Sequence, residues 1–179
     1  MAKAVGMNIN DQKIYMVYVD NTKVTKTVSL EMPENIVKNS DIVSFDALAD
    51  FIRESVRERK LPKCLASVMM PDSVVYGKNI ETPLMNHKQL TFNLPFEFKD
   101  YLTLDKEQYF YDYAVKSIDE ENSVMHLYAC CTPKENVRKY IASFKRADMP
   151  LGCGVNQAFA LGKVLRNKDS NGDTCFVKL

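Results

Sequence analysis

The sequence has no tryptophan, only 6 glycines and 7 prolines among 179 residues, and just two histidines. So little glycine and proline, with no low-complexity stretch, argues against fibrous or wholly disordered classes. No run approaches the ~18 apolar residues of a membrane-spanning helix. The opening MAKAVGMNIND lacks the apolar centre of a secretory signal, so the chain is expected to be neither secreted nor inserted in a membrane by its own sequence. Charge of one sign is missing too: 24 Lys and Arg face 23 Asp and Glu, a net +1. That balance excludes a strongly electropositive nucleic-acid binder. Five cysteines (Cys64, Cys130, Cys131, Cys153, Cys175) stand at irregular spacing and read as reduced thiols. His87 and His126 are far apart, with no cysteine or carboxylate at ligand spacing, so no metal site is expected. No G-x-S-x-G, HExxH, Walker or GxGxxG pattern occurs, and no catalytic residue is assigned.

What is present is ordinary globular material: 46% apolar and 26% charged residues. A chain of this length buries roughly 70% of its unfolded surface and needs no disulfide or metal to fold. Residues 3–9 and 13–19 read as strands around the polar turn Asn10-Asp11-Gln12, the second continuous enough to be buried on both faces. Val24, Val28 and Leu30 alternate with Thr25, Thr27 and Ser29 in a third strand, completing an antiparallel meander. A loop over 31–43 leads to a helix capped by Ser44 and striped by Phe45, Leu48, Phe51, Ile52 and Val56, which Pro62 stops. Residues 64–70 then return as a buried strand. A strand at 73–81 and a capping box from Asn86 to Gln89 follow, with Pro95 expected to break that helix into two pieces ending near Leu102. The aromatic strand 109–118 turns at Glu120-Glu121-Asn122 into a partner at 124–131. Thr132, Pro133 and Glu135 predict a helix start with Thr132 as cap. After Pro150 come a strand at 151–155, a helix through Ala158, Leu161 and Leu165, a turn at 167–173 and an apolar strand at 174–179. A domain rarely stops in a strand just begun, so the chain is expected to be part of a longer one.

Two features invite chemistry. A strand–turn–strand of the form Asp-x-Gly-x-x-x-x-Lys holds a phosphate on backbone N–H groups and a metal-bound water on its carboxylate. Here Asn8 stands at the Asp position, Asn10 at the Gly position and Tyr15 at the Lys position, with Asp11 and Gln12 between. Asparagine supplies no charge for Mg²⁺ and crowds a phosphate more than glycine does. The turn Asn8, Asn10, Asp11, Gln12 is therefore a degenerate phosphate turn or a plain hairpin. The second feature is the tyrosine row Tyr109, Tyr111, Tyr113, which shares one strand face. It serves either packing beneath the helices or partner binding, and self-association through it is a further option. Base stacking is disfavoured by the charge balance.

The order and spacing of these segments resemble the first half of an actin-like ATPase of the pilus type, the PilM family, relatives of the cell-division protein FtsA. The phrases that carry the resemblance are VGMNINDQKIYMVYV, SFDALADFIRESVRERKLPKCLASVMMP, ETPLM, LPFEF, YFYDYAV, SVMHLYACCTPKENVRKYIASFKRADMP and QAFALGKVL. The resemblance implies an α/β fold: an actin-like, RNase H-like core subdomain at 1–72 with 148–179, and an inserted small βαββα subdomain at 73–147. It also implies ATP and Mg²⁺ as the family's cofactors and a cytoplasmic location at the inner face of the membrane. The implied partner is the cytoplasmic tail of a PilN-like membrane protein, held in a groove beside the insertion, within a type IV pilus or type II secretion-like platform. With the phosphate turn degenerate and the family's second phosphate turn beyond the last residue, no cofactor and no ATP hydrolysis are expected of this chain. Its expected function is that of a scaffold. The alternatives are an actin-like ATPase half with a decayed site and an FtsA-type division adaptor.

Overall fold

In the computed structural model, which describes residues 3–39 and 41–160, the meander forms as its alternation dictates. Strand β1 (Lys3–Ile9) pairs antiparallel with β2 (Lys13–Asp20), and β2 with β3 (Lys23–Glu31). Asn21 makes the second turn at φ 55°, a left-handed conformation asparagine tolerates. The loop that follows contains a ribbon of β4 (Val37–Lys38) and β5 (Asp41–Ile42). Helix α1 (Phe45–Glu58) starts where Ser44 accepts the Ala47 N–H at 3.3 Å. β6 (Leu65–Met70) runs parallel to β1 on the side away from β2. Next come β7 (Tyr76–Pro83), α2 (His87–Glu97), β8 (Tyr109–Asp119), β9 (Val124–Pro133), α3 (Lys134–Arg146) and β10 (Leu151–Asn156). The helix expected through Leu161 and Leu165, the turn at 167–173, the strand at 174–179 and Cys175 lie outside the described residues.

The strands form two separate larger sheets. One has five strands in the order β10-β6-β1-β2-β3, and the other has three in the order β7-β9-β8. On the first, Val5, Met7, Ile14, Met16, Ala66 and Val68 turn one face toward Leu48, Ala49, Ile52 and Val56 of α1. β2 was expected to be buried on both faces, but only Ile14, Met16 and Tyr18 are buried, while Tyr15 is 42% exposed. The reason is that the opposite face is uncovered among the described residues: a Cβ added to Gly6 there would meet nothing within 4 Å. On the second sheet, α2 lies across Ile80, Met125, Leu127, Ala129 and Cys131 with Leu90 and Leu94, and Phe98 just beyond it closes this second core.

Local signals and tertiary packing disagree at three places. α2 runs through Pro95 to Glu97 without a break. Proline inside a helix costs about 3 kcal/mol or more, offset here by burial of Leu94 before it and Phe98 after it. α3 begins at Lys134 with Pro133 as its uncapped boundary, because the Thr132 hydroxyl donates to the Val74 carbonyl at 2.7 Å instead. Most importantly, α3, expected within the inserted unit, packs on α1. Tyr140 and Phe144 lie in the first core, the Phe45 and Tyr140 rings meet edge-on at 5.2 Å, and Ser143 donates to the Phe45 carbonyl at 2.9 Å. Arg146 then forks onto Asp50 at 2.9 and 3.2 Å and reaches Asp46 at 3.1 Å. Among the described residues the helix that packs in the small sheet's own core is α2, which makes this a βαββ unit rather than βαββα.

The cores carry acidic protons of high affinity. Burial pushes the phenols of Tyr18 and Tyr140 and the thiol of Cys131 each up to about 12. In the unfolded chain they ionise near their ordinary values, about 10 for the phenols and 8.5 for the thiol. Their burial therefore stabilises fully below those values and is lost as pH rises toward 12. The melting temperature is expected to hold level to about pH 8.5 and to fall steeply above about pH 10. Circular dichroism melts across that range check this, and a level profile to pH 12 would contradict the buried positions.

Candidate functional site

Strands β1, β6 and β10 are parallel, so their carboxyl ends lie at one edge of the five-stranded sheet, where open α/β sheets bind ligands. The Asn10 turn joins β1 to β2 there, and Asn156 ends β10 opposite Met70 of β6. The turn is closed by its own side chain. The Asn10 Oδ1 accepts the N–H groups of Gln12 at 3.0 Å and Lys13 at 2.9 Å, while its own N–H donates to the Lys13 carbonyl at 3.1 Å. This is an Asx turn, and it uses the amides that a phosphate would need. The Gln12 carbonyl accepts the Met32 N–H at 2.7 Å, which ties the turn to the end of β3. Asp11 points the other way, its Oδ2 accepting the Asn39 N–H at 2.7 Å. Lys13 is paired with Glu31 at 3.1 Å, and that hydrogen bond raises its pKa. Asn8 is half-buried on the open face, between Tyr15 of β2 and Met69 of β6. The structure therefore brings Asn10, Asp11 and Gln12 together, but as a turn satisfied from within. ATP with Mg²⁺ does not fit this arrangement: the Gln12 and Lys13 amides are already engaged by the Asn10 carboxamide, and Asn8 offers no carboxylate for the ion.

A second polar feature at the same edge escaped the sequence reading. Asn156 is 7% exposed and uses both ends of its carboxamide. Its Nδ2 donates to Asp72 Oδ1 at 2.9 Å and to the Val75 carbonyl at 3.4 Å. Its Oδ1 accepts the Tyr128 hydroxyl and the Phe159 N–H, each at 3.0 Å. Tyr128 belongs to β9 of the small sheet and stacks on Phe159 at 5.4 Å, so Asn156 joins the two sheets. Burial, followed by the nearby Cys130 and Asp72, raises the Tyr128 pKa. An asparagine three residues before Phe159 was legible as a helix cap, but nothing local pointed to Asp72 or Tyr128.

The tyrosine row does not form an open docking face. Tyr109 is buried, and Tyr111 and Tyr113 are half-buried against the same core. Their hydroxyls are engaged: Tyr109 accepts the Thr103 N–H at 3.1 Å, Tyr111 donates to the Lys106 carbonyl at 2.9 Å, and Tyr113 meets His87 Nδ1 at 2.9 Å. The period of two placed them together correctly, but α2 and the turns after it cover that face. The exposed aromatics of this unit are instead Phe92 (71%), Phe96 (51%), Tyr101 (47%) and Phe110 (47%). His126 lies 3.8 Å from Glu81, and among the described residues no three His, Cys, Asp or Glu side chains form a metal-binding group. Cys130 and Cys131 have thiol pKa values raised by burial, the reverse of nucleophile activation. Asp119 accepts the Asn122 N–H at 3.1 Å and so closes the acidic hairpin. No helix among the described residues is long and apolar enough to cross a membrane.

No family model matches the sequence, and no curated protein matches it. Solved structures do. A chain of a "PilM-PilN type IV pilus biogenesis complex" superposes with a TM-score of 0.78 at 17% identity, over 90% of this chain and 49% of that one. The cytoplasmic domain of EpsL, an inner membrane component of the type II secretion system of Vibrio cholerae, superposes with a TM-score of 0.57 at 13% identity, over 89% and 59%. A third likeness, to a Bacteroides thetaiotaomicron protein described as having an actin-like ATPase fold, has a TM-score of 0.44 at 10% identity, over 90% and 55%. At such identities the likeness establishes the fold: the chain has the PilM-like architecture that its segment order implied. It spans about half the length of the first of these structures, 49%.

Proposed function

We propose that this chain is a scaffold element of a type IV pilus or type II secretion-like assembly platform, and that it holds the cytoplasmic tail of a PilN-like membrane protein without hydrolysing ATP. Its setting is then the cytoplasmic face of the membrane. The core subdomain supplies the rigid body, and the small three-stranded unit adds a second surface to it. The observation that carries this reading is the Asx closure of the Asn10 turn. A PilM-like fold whose phosphate turn is satisfied by its own carboxamide keeps its shape with no nucleotide. The shared fold is then best read as a surface for other proteins. Support for the platform comes from the company of the fold, since one neighbour was solved as a PilM–PilN complex and another is an inner membrane component of a secretion system.

Two measurements test it. Isothermal titration of the full chain with Mg-ATP is expected to show no binding, and micromolar affinity would overturn the scaffold reading. Asn10→Gly removes both side-chain bonds of the turn and adds backbone freedom. It is expected to cost about 1–2 kcal/mol in urea unfolding. A cost near zero would mean that the carboxamide does not hold the turn. The partner half of the reading is tested by titrating a synthetic cytoplasmic segment of the PilN-like protein from the same organism.

A further inference from the structure

The parallel strands β1, β6 and β10 all begin at the end of the five-stranded sheet opposite the Asn10 turn. Helix α1 finishes at that end too, because residues 59–64 lead from it directly into β6. Five exposed cations gather there. Lys3 starts β1, Lys23 starts β3 in register with Asp20, and Arg57, Arg59 and Lys60 close α1. Lys63, in the connection, is held by Asp148, and Arg53, one turn earlier on α1, is held by Asp50. Arg57, Arg59 and Lys60 form no ion pair among the described residues. The carboxylates of this end are Asp20, Glu58 and Asp148. This end is therefore positive in a chain whose net charge is only +1. A cavity of about 350 Å³ opens here between α1 and the Asp148 turn, with Arg53, Arg57, Lys60 and Lys63 around it against Glu54 and Asp148. Lys60 holds the left-handed φ of 50° that turns the chain out of α1.

We propose that this end of the core subdomain docks directly on the anionic phospholipid surface of the membrane, with a headgroup phosphate seated between Arg57 and Lys60. This rests on the reading that sets the chain at the cytoplasmic face of the membrane, and it adds an attachment that needs no partner protein. Charge complementarity selects the occupant: the cytoplasmic leaflet carries a negative surface potential that attracts clustered Lys and Arg. The cations are spread over β1, the β2–β3 turn and the end of α1, which suits an extended charged surface better than one small anion. The carbonyl end of a helix repels a lone anion, so the attraction comes from the side chains and is sensitive to salt. In this orientation the small sheet lies on the side away from the bilayer, since Asn156 and Asp72 join it to the core at the carboxyl ends of β10 and β6.

Co-sedimentation of the full chain with vesicles tests the proposal, using phosphatidylcholine alone and phosphatidylcholine mixed in equal parts with phosphatidylglycerol. Binding is expected to the mixed vesicles alone, and to fall about tenfold or more from low to high salt. Arg57→Gln with Lys60→Asn removes two unpaired cations at exposed positions, and asparagine keeps the left-handed backbone at 60. This pair is expected to weaken binding to the mixed vesicles about twentyfold. Lys88→Gln with Lys116→Gln lowers the net charge equally, at exposed positions on the small unit. It is expected to change binding by less than about twofold. No binding to the mixed vesicles, equal binding to both kinds, no loss in the first pair, or equal loss in the two pairs overturns the proposal. Release by inorganic phosphate at constant ionic strength also overturns it, because the cavity is then a site for a free anion. The synthetic PilN-like cytoplasmic segment, titrated against the same variants, is expected to bind them as it binds the native chain. If the segment binds and the mixed vesicles do not, this proposal fails and the scaffold reading stands. If the vesicles bind with the expected loss in the first pair and the segment does not bind, the proposal stands and the partner half of the scaffold reading fails.

Discussion

Phe144→Ala is expected to lower stability by about 3–5 kcal/mol and the melting temperature by roughly 10 °C. Phe144 is fully buried in the first core, on the α3 face that meets α1. Its removal leaves a ring-sized void between two helices already fixed by other contacts. Those are the edge-on Phe45–Tyr140 pair, the Ser143 bond to the Phe45 carbonyl, and the Arg146 fork on Asp50 and Asp46. The void cannot readily collapse, so the cavity cost adds to the lost transfer energy. Ile141 on the same helix is 48% exposed and serves as the control, and its replacement by alanine should cost about 1 kcal/mol or less. Equal costs for the two would mean that α3 does not pack in the first core, and the helix would return to the small unit where the sequence placed it.

Asn156→Ala is expected to cost about 3 kcal/mol, a large effect for an exchange that removes no apolar contact. The loss arises from what remains: the Tyr128 hydroxyl and the Phe159 N–H at half-buried positions and the buried Val75 carbonyl each lose a partner, while the exposed Asp72 can turn to water. Tyr128→Phe removes one of these bonds alone. A double-mutant cycle should give a coupling of about 1 kcal/mol between the two positions. Additive costs would show that the joint between the sheets is held by the stack of Tyr128 on Phe159 and not by the amide. Gly77 offers an independent check. A Cβ there would lie 2.1 Å from the Tyr128 hydroxyl oxygen and 2.8 Å from its ring carbon. Gly77→Ala must therefore displace Tyr128 and break the same bond, at about 1–3 kcal/mol. Part of that cost should vanish in a Tyr128→Phe background.

The functional readings differ in how far the sequence could carry them. The polar turn at Asn10-Asp11-Gln12 was legible because the chemistry of a short turn depends on the residues within it. The Asx closure adds a stronger statement, that the amides are occupied and not merely less accessible. The tyrosine row was also legible as a row, yet its direction was not. Period two says that Tyr109, Tyr111 and Tyr113 share a face, but only α2 lying over that face shows it to be an interior one.

From the sequence alone came the elements whose causes are local. These are the meander with its asparagine turns, the Ser44 cap, the Asn86–Gln89 capping box, whose reciprocal bonds measure 3.1 and 2.8 Å, and the segment order that resembles the PilM family. Tertiary structure alone decided that α3 joins the first core, that Pro95 is carried inside a helix, that Thr132 bonds Val74 and does not cap, and that Asn156 binds the two sheets together. The division has a physical basis. Caps, turns and periodicity draw on energies set within a few residues, whereas these four outcomes depend on burial and hydrogen bonds between segments distant in the chain, which outweigh local preferences of about 1 kcal/mol and, at Pro95, of about 3 kcal/mol.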